Sequence, residues 1–209
     1  GVVSGTVLLV DEEKVYVGVD KYEKTDAYLP KKEQPAGETY SQGDRLKFYV
    51  SDIKSDAKST QLILSRTHPG LVKKLFEQEV PEISEGVVEI KGIAREGGSR
   101  TKIAVYSKNP DIDAQGACIG PKGSRVQVIN DELKTEKIDI IKWSENPAEF
   151  ITAALSPSKV ISCEINEAEK SAKVIVPEYQ LSLAIGKSGQ NVRLAAKLTG
   201  WKIDISAGE

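Results

Sequence analysis

The residues of this 209-residue chain best suited to chemistry are two short phrases built on glycine. The first runs Ile119-Gly120-Pro121-Lys122-Gly123-Ser124-Arg125-Val126. The second runs Ile185-Gly186-Lys187-Ser188-Gly189-Gln190-Asn191-Val192, with Arg193 next. Each reads apolar residue, Gly, two variable residues, Gly, two more, then Val. A turn bracketed by glycines lets a ligand approach the backbone closely, because neither glycine has a Cβ in the way. A helix starting at such a turn aims its free N–H groups and its positive dipole end at the same spot, which suits a phosphate. Lys122, Arg125, Lys187 and Arg193 can add positive charge there.

Other chemistry is poorly supplied. Gly186-Lys187-Ser188 matches the end of a nucleotide-binding P-loop, but that motif needs a glycine where Leu181 stands. It also follows a strand, whereas this turn joins two helical stretches. His68 is the single histidine, beside Pro69, where a turn or helix cap is expected. No nucleophile elbow and no metal-ligand spacing is present in the sequence. Cys118 and Cys163 lie far apart without a CxxC pattern, and read as reduced thiols packed as small hydrophobes. The chain is therefore expected to have no catalytic residues, no metal and no cofactor.

Composition sets the outer bounds. With 39% hydrophobic and 29% charged residues, the chain reads as a soluble, cytoplasmic globular protein. No apolar run approaches the roughly 20 residues of a membrane span, so no membrane partner is expected. The net charge of −2 does not advertise a polyanion partner, so any nucleic-acid role must rest on local clusters. The chain opens in a strand-like pattern and contains no methionine, which predicts a segment of a longer protein.

The elements that must position the two phrases follow from periodicity. Residues 1–66 alternate with a period of two, which predicts half-buried strands at Thr6–Val10, Val15–Val19, Asp26–Leu29, Leu46–Val50 and Gln61–Ser65. Five short strands suit a small closed barrel of the OB type, with Pro30–Asp44 as a surface loop. Its outward residues, Lys14, Tyr16, Tyr28, Lys47 and Tyr49, interleave aromatics with lysines, a pattern that can stack single-stranded bases or simply make good strands. A helix follows from His68-Pro69, with Leu71, Val72, Leu75 and Phe76 at helical spacing, ended by Pro81. Strands Val87–Ile90 and Lys102–Tyr106 flank the loop Arg95–Arg100. They lead to the first glycine phrase, its helix and a strand Ile138–Ile141.

The same order then returns. Asn146-Pro147 predicts a helix cap, with Glu149 completing a box-like start. Strands Val160–Ile165 and Lys173–Val176 precede the second phrase, and Gly200 fits the end of its helix. The leading glycines lie 66 residues apart, at Gly120 and Gly186. The final Lys-Ile-Asp-Ile strands lie 65 apart, at Lys137 and Lys202. The short connection from Trp143 to Asn146 predicts that the two copies act as one rigid platform.

A glycine turn in this strand and helix context, stated twice, is similar to the pattern of KH domains, whose loop clamps an RNA backbone across four nucleotides. The helix and two strands before each turn resemble the type II arrangement. The predicted architecture is thus multidomain: an all-β OB-fold barrel over 1–66, then α+β type II KH domains over 67–143 and 144–209. The segments Leu64–Pro69, Leu75–Ile83, Gly92–Glu96, Gly98–Val105, Gly116–Gly120 and Glu136–Ile141 closely resemble the NusA family of bacterial transcription factors.

That resemblance implies an RNA-binding core of an S-one type barrel and two KH domains. It implies a role in pausing, termination and antitermination, with single-stranded nascent RNA as ligand. RNA polymerase would be held mainly by a domain outside this chain, with other transcription factors as further partners. The residues expected to touch RNA are Ile119, Gly120, Pro121, Lys122, Gly123 and Arg125 in the first copy. In the second they are Ile185, Gly186, Lys187, Ser188, Gly189, Gln190 and Arg193, with Tyr16 and Tyr28 on the barrel. Val126 and Val192 would line the grooves or sit in the core. Pro121 stiffens the first turn, and Lys187-Ser188 adds a charge and a hydroxyl to the second, which predicts a firmer grip there. Two alternatives are a protein-interaction scaffold and the RNA-binding tail of a phosphorolytic exonuclease. The latter carries a single KH domain before its S-one domain, the reverse of the order here.

Overall fold

The computed structural model describes residues 1–22 and 24–208. Strands β1 (Val2–Val10), β2 (Lys14–Val19), β3 (Asp26–Pro30), β4 (Arg45–Ser55) and β5 (Thr60–Ser65) close into a barrel in the order β1-β2-β3-β5-β4. The period of two sends Val15, Val17, Val19, Ala27 and Leu29 into a core shared with Phe48 and Leu64. It leaves Tyr16 and Tyr28 outward, opposite each other in register. β1 begins four residues before the predicted strand, because Val2–Thr6 pairs with Arg45–Tyr49 and so closes the barrel.

Two outward positions are half-buried against the next domain. Tyr49 stacks on His68 with ring centroids 4.0 Å apart and packs against the core of the next domain. Lys47 donates its side chain to Gln78 and its backbone N–H to Glu132. The expectation that Lys47 and Tyr49 form part of an open face is corrected: the neighbouring domain engages both and covers them in part.

The segment expected as a surface loop is also engaged. Glu33 accepts from Ser65 and Thr67, while Glu38 pairs with Arg66. Arg66 is fully buried, and its five N–H donors reach Glu38 twice, the Lys47 carbonyl, and both the carboxylate and the carbonyl of Glu132. Burial alone lowers the pKa of a guanidinium; here the carboxylates of Glu38 and then Glu132 outweigh it and raise the value. Arg66 is the polar joint between barrel and first repeat.

The first repeat contains α1 (Pro69–Glu79), α2 (Pro81–Ser84), β6 (Val88–Glu96), β7 (Arg100–Ser107), α3 (Ala114–Ile119), α4 (Ser124–Leu133) and β8 (Lys137–Lys142). The second contains α5 (Pro147–Ala154), β9 (Ser162–Asn166), β10 (Ser171–Pro177), α6 (Leu181–Ile185), α7 (Gln190–Thr199) and β11 (Lys202–Gly208). In each sheet the first two strands pair antiparallel, and the last lies parallel to the middle one. A parallel pair needs a crossover, and the two helices around each glycine turn supply it. This α-β-β-α-α-β order with one parallel pair is the type II arrangement.

Local signals acted as read at most helix ends. His68 Nδ1 accepts from the Gly70 N–H at 2.8 Å, and Asn146 Oδ1 accepts from Ala148 and Glu149. Gly200 closes α7 in the left-handed conformation. Glu149 departs from the box expectation, since its carboxylate accepts from Ser144 instead. Pro81 ends α1 and then opens α2, because proline suits a first helical turn.

The repeats share packing. Ala104 and Ile141 from the first sheet belong to the same core as Phe150, Ile151, Leu155 and Ala195 of the second repeat. Lys102 is fully buried at this seam and donates to Asp139 at 2.9 Å and to the Ser156 carbonyl at 2.7 Å. Burial lowers its pKa despite the pull of Asp139. Asp139 is itself pushed up by burial, but Arg100 and Lys102 prevail and hold it below its usual range. A continuous core and a buried ion cluster support the expectation of a single platform.

Candidate nucleic-acid interface

The two glycine turns hold one backbone shape. Gly120 has φ 78°, ψ 167°, and Gly186 has φ 79°, ψ 167°. Lys122 and Ser188 both sit at φ 54°, with ψ 29° and 28°. Gly123 and Gly189 follow at φ 75° and 76°. Left-handed backbone costs a non-glycine residue roughly 1–2 kcal/mol, and the chain accepts that cost at the same place twice.

Each glycine has a different reason to be there. A Cβ on Gly186 would stand 2.6 Å from the Asn191 backbone nitrogen, and one on Gly120 would stand 2.9 Å from the Arg125 nitrogen. These glycines let the turn fold onto the following helix. A Cβ on Gly123 would meet nothing within 4 Å, and one on Gly189 only Arg193 Nη1 at 3.8 Å. The second glycines therefore hold the turn in shape and leave its outer surface bare.

The turns lead into α4 and α7, each of 10 residues. Their N-caps are Gly123 and Gly189, so no side chain accepts from the first N–H groups. The starts of α1 and α5, by contrast, are filled by His68 and Asn146. The first N–H of each helix donates to a turn carbonyl, Ser124 to Pro121 and Gln190 to Lys187. The donors that follow, with no side-chain cap, face the positive end where an anion is favoured. Lys122 and Lys187 project beside them as exposed side chains, with Ser188 also exposed. Ile119 and Ile185 remain 40% and 36% exposed on the approach to each turn, whereas Val126 and Val192 are half-buried.

Three of the predicted contacts have protein partners. Arg125 pairs with Glu82 at 3.0 Å and donates to the Ala117 carbonyl at 2.7 Å, which braces α3 below the first turn. Asn191 stands 66 residues later and does the same work, donating to the carbonyls of Ala184 and Leu155. Arg193 forms a two-pronged pair with Glu96, and Gln190 donates to Glu96 and to Ser99. Arg193 holds the Glu96 carboxyl below its usual range. Sequence reading missed Asn191 and Glu96. The repeat offset from Arg125 pointed to Asn191, but no local signal pointed to Glu96.

Comparison with known proteins agrees with this geometry. Residues 1–65 match the S1 RNA binding domain, residues 66–143 the NusA-like first KH domain, and residues 147–209 the NusA-like second KH domain. The chain is 56% identical over 206 residues to the transcription termination/antitermination protein NusA of Halalkalibacterium halodurans, covering 99% of this chain and 53% of that protein. It is 55% identical to the protein of that name from Bacillus subtilis, covering 99% and 55%. For Thermus thermophilus the identity is 50%, covering 100% and 53%. The chain belongs to the NusA family.

This NusA-family chain spans about half the length of the curated relatives it matches. Its barrel carries one compact aromatic site. Lys14 Nζ lies 5.3 Å from the Tyr16 ring centroid and 4.8 Å from that of Tyr28, and Leu9 is the neighbour of Tyr16 on β1. Cys118 is buried and its thiol is pushed up to about 12 by burial, as an inert packed thiol should be. Among the described residues no helix is long and apolar enough to cross a membrane.

Proposed function

We propose that this segment binds single-stranded RNA along its two KH repeats, with the turns at Gly120–Gly123 and Gly186–Gly189 tracking the backbone. The observation that carries this is the pair of turns of one shape, each opening onto an uncapped helix start beside an exposed lysine. Ile119 and Ile185 offer apolar surface to bases next to each turn. Tyr16 and Tyr28, capped by Lys14, offer a stacking platform on the barrel. The role is binding without catalysis. In the whole protein the ligand is nascent RNA in the cytoplasm, and the outcome is control of pausing, termination and antitermination. RNA polymerase is the main protein partner, held chiefly by parts beyond these residues.

The turns also differ in a way that supports the unequal grip. Both carry one exposed lysine, so charge alone does not separate them. Pro121 lacks the N–H that Lys187 presents at the same position, and Ser188 adds a hydroxyl. Arg125 and Arg193, each paired with a carboxylate, act as positioning groups more than as free cations.

The test is a titration of single-stranded RNA with Lys187→Asp/Ser188→Asp and with Lys122→Asp, each over a salt series. Asp tolerates the left-handed conformation at 188 and 122, so the fold should persist. Affinity should drop in both variants, more in the second turn, and should fall steeply with salt in the parent chain. A net charge of −2 favours the scaffold reading. Absence of RNA binding at low salt would overturn the RNA reading and leave the scaffold reading in its place.

A further inference from the structure

The two turns share a shape but are not held in the same way. Arg193 Nη1 donates to the carbonyl of Ser188, the left-handed residue of the second turn, at 2.9 Å. The same guanidinium grips Glu96 through Nε at 2.7 Å and Nη2 at 2.8 Å. Glu96 closes β6 of the first repeat, and Gln190, at the start of α7, adds bonds to Glu96 and to Ser99. The second turn is thus tied through Arg193 to the β6–β7 hairpin of the other domain. In the first copy the position of Arg193 is taken by Gln127, which bonds Asp131 within its own helix. The first turn has no such tie among the described residues.

We infer that Glu96 is a positioning residue for the second RNA turn: through Arg193 it restrains the Ser188 peptide, a restraint the first turn lacks, so docking of the repeats stiffens this clamp. The inference rests on the reading of the turn as an RNA clamp. The geometry makes an unusual prediction of sign. Glu96 is a carboxylate beside the site where phosphates would bind, so electrostatics alone says that removing it tightens RNA binding. A positioning role says that removing it weakens binding. Arg193→Lys sharpens the contrast, since lysine keeps the charge but cannot grip Glu96 in two places and reach Ser188 as well.

The experiment compares RNA affinity for the parent chain, Glu96→Ala, Arg193→Lys and Lys187→Asp/Ser188→Asp, with amide exchange at Ser188 and Gly189 read in parallel. We expect Glu96→Ala and Arg193→Lys to lose roughly three- to tenfold in affinity, as when the competent population of the turn falls to between a third and a tenth. Exchange at Ser188 and Gly189 should quicken in both, with Lys122 and Gly123 unchanged. If the turn variant weakens binding while Glu96→Ala binds RNA equally or more tightly, the positioning role is overturned and the clamp stands. If the turn variant itself binds normally, the clamp reading falls and this inference falls with it.

Discussion

Replacing the two glycines of one turn by alanine should separate the fold of the clamp from its use. At Gly186 the backbone lies at φ 79°, ψ 167°, a region used almost only by glycine, which costs another residue roughly 1–3 kcal/mol. The new Cβ would stand 2.6 Å from the Asn191 nitrogen and 2.8 Å from its Cβ, so α7 must shift at its start. Asn191 is 3% exposed and donates to Ala184 and Leu155 at 2.9 and 3.0 Å. Disturbing those bonds adds about 1–3 kcal/mol for buried carbonyls left without a donor. Gly186→Ala should therefore cost roughly 2–6 kcal/mol.

Gly189→Ala meets only Arg193 Nη1 at 3.8 Å and should cost about 1–2 kcal/mol, the left-handed penalty alone. Its methyl group, however, fills the bare surface where an RNA backbone would lie. Denaturant unfolding and RNA titration on the same samples provide the assay. Gly189→Ala should stay nearly as stable as the parent yet lose about tenfold in RNA affinity, or about 1.4 kcal/mol of binding. Equal stability losses at both sites, or full RNA binding by Gly189→Ala, would refute the reasoning.

Three further outcomes follow from the same geometry. Arg66→Ala leaves Glu38 and Glu132 facing each other without their shared cation, and should cost about 3–5 kcal/mol in thermal unfolding, since breaking a buried pair exposes its partner's desolvation. Glu96 and Asp139 are both depressed in the folded chain, so their stabilisation is in place above their ordinary values of 4.5 and 3.8. It is lost as pH falls through the lower folded values, so melting temperature should hold steady from neutral pH and drop in the acid range below these values. Tyr16→Ala and Tyr28→Ala should each weaken RNA binding by about 1–3 kcal/mol where a base stacks; calorimetry showing no change in either would remove the barrel from the RNA path.

The parts of the molecule legible in the sequence are those set by local pattern. The glycine turns could be read because positive φ restricts residue choice at single positions, and the restriction recurs 66 residues later. The caps at His68 and Asn146 and the inward valines of β2 are likewise local matters of side-chain reach and period. What could not be read is which outward faces another domain covers. Tyr49 alternates outward from its strand as Tyr16 does, yet one stacks on His68 and the other lies beside Lys14. Period two separates core from outside but not solvent from a neighbouring domain. The buried charges were hidden for the same reason: Arg66 meets Glu132, and Lys102 meets Ser156, only after distant segments pack. Arg125 and Arg193 read as free cations because Glu82 and Glu96 reach them across the fold.

The central claim is that an RNA strand runs along both glycine turns of one platform. The most direct measurement is photocrosslinking of a single-stranded RNA to the 209-residue chain, with the modified peptides identified by mass spectrometry. The account predicts crosslinks concentrated at Ile119–Gly123 and Ile185–Gln190, both lost in a chain carrying Lys122→Asp and Lys187→Asp. Crosslinks confined to other surfaces, or unchanged in that variant, would contradict it.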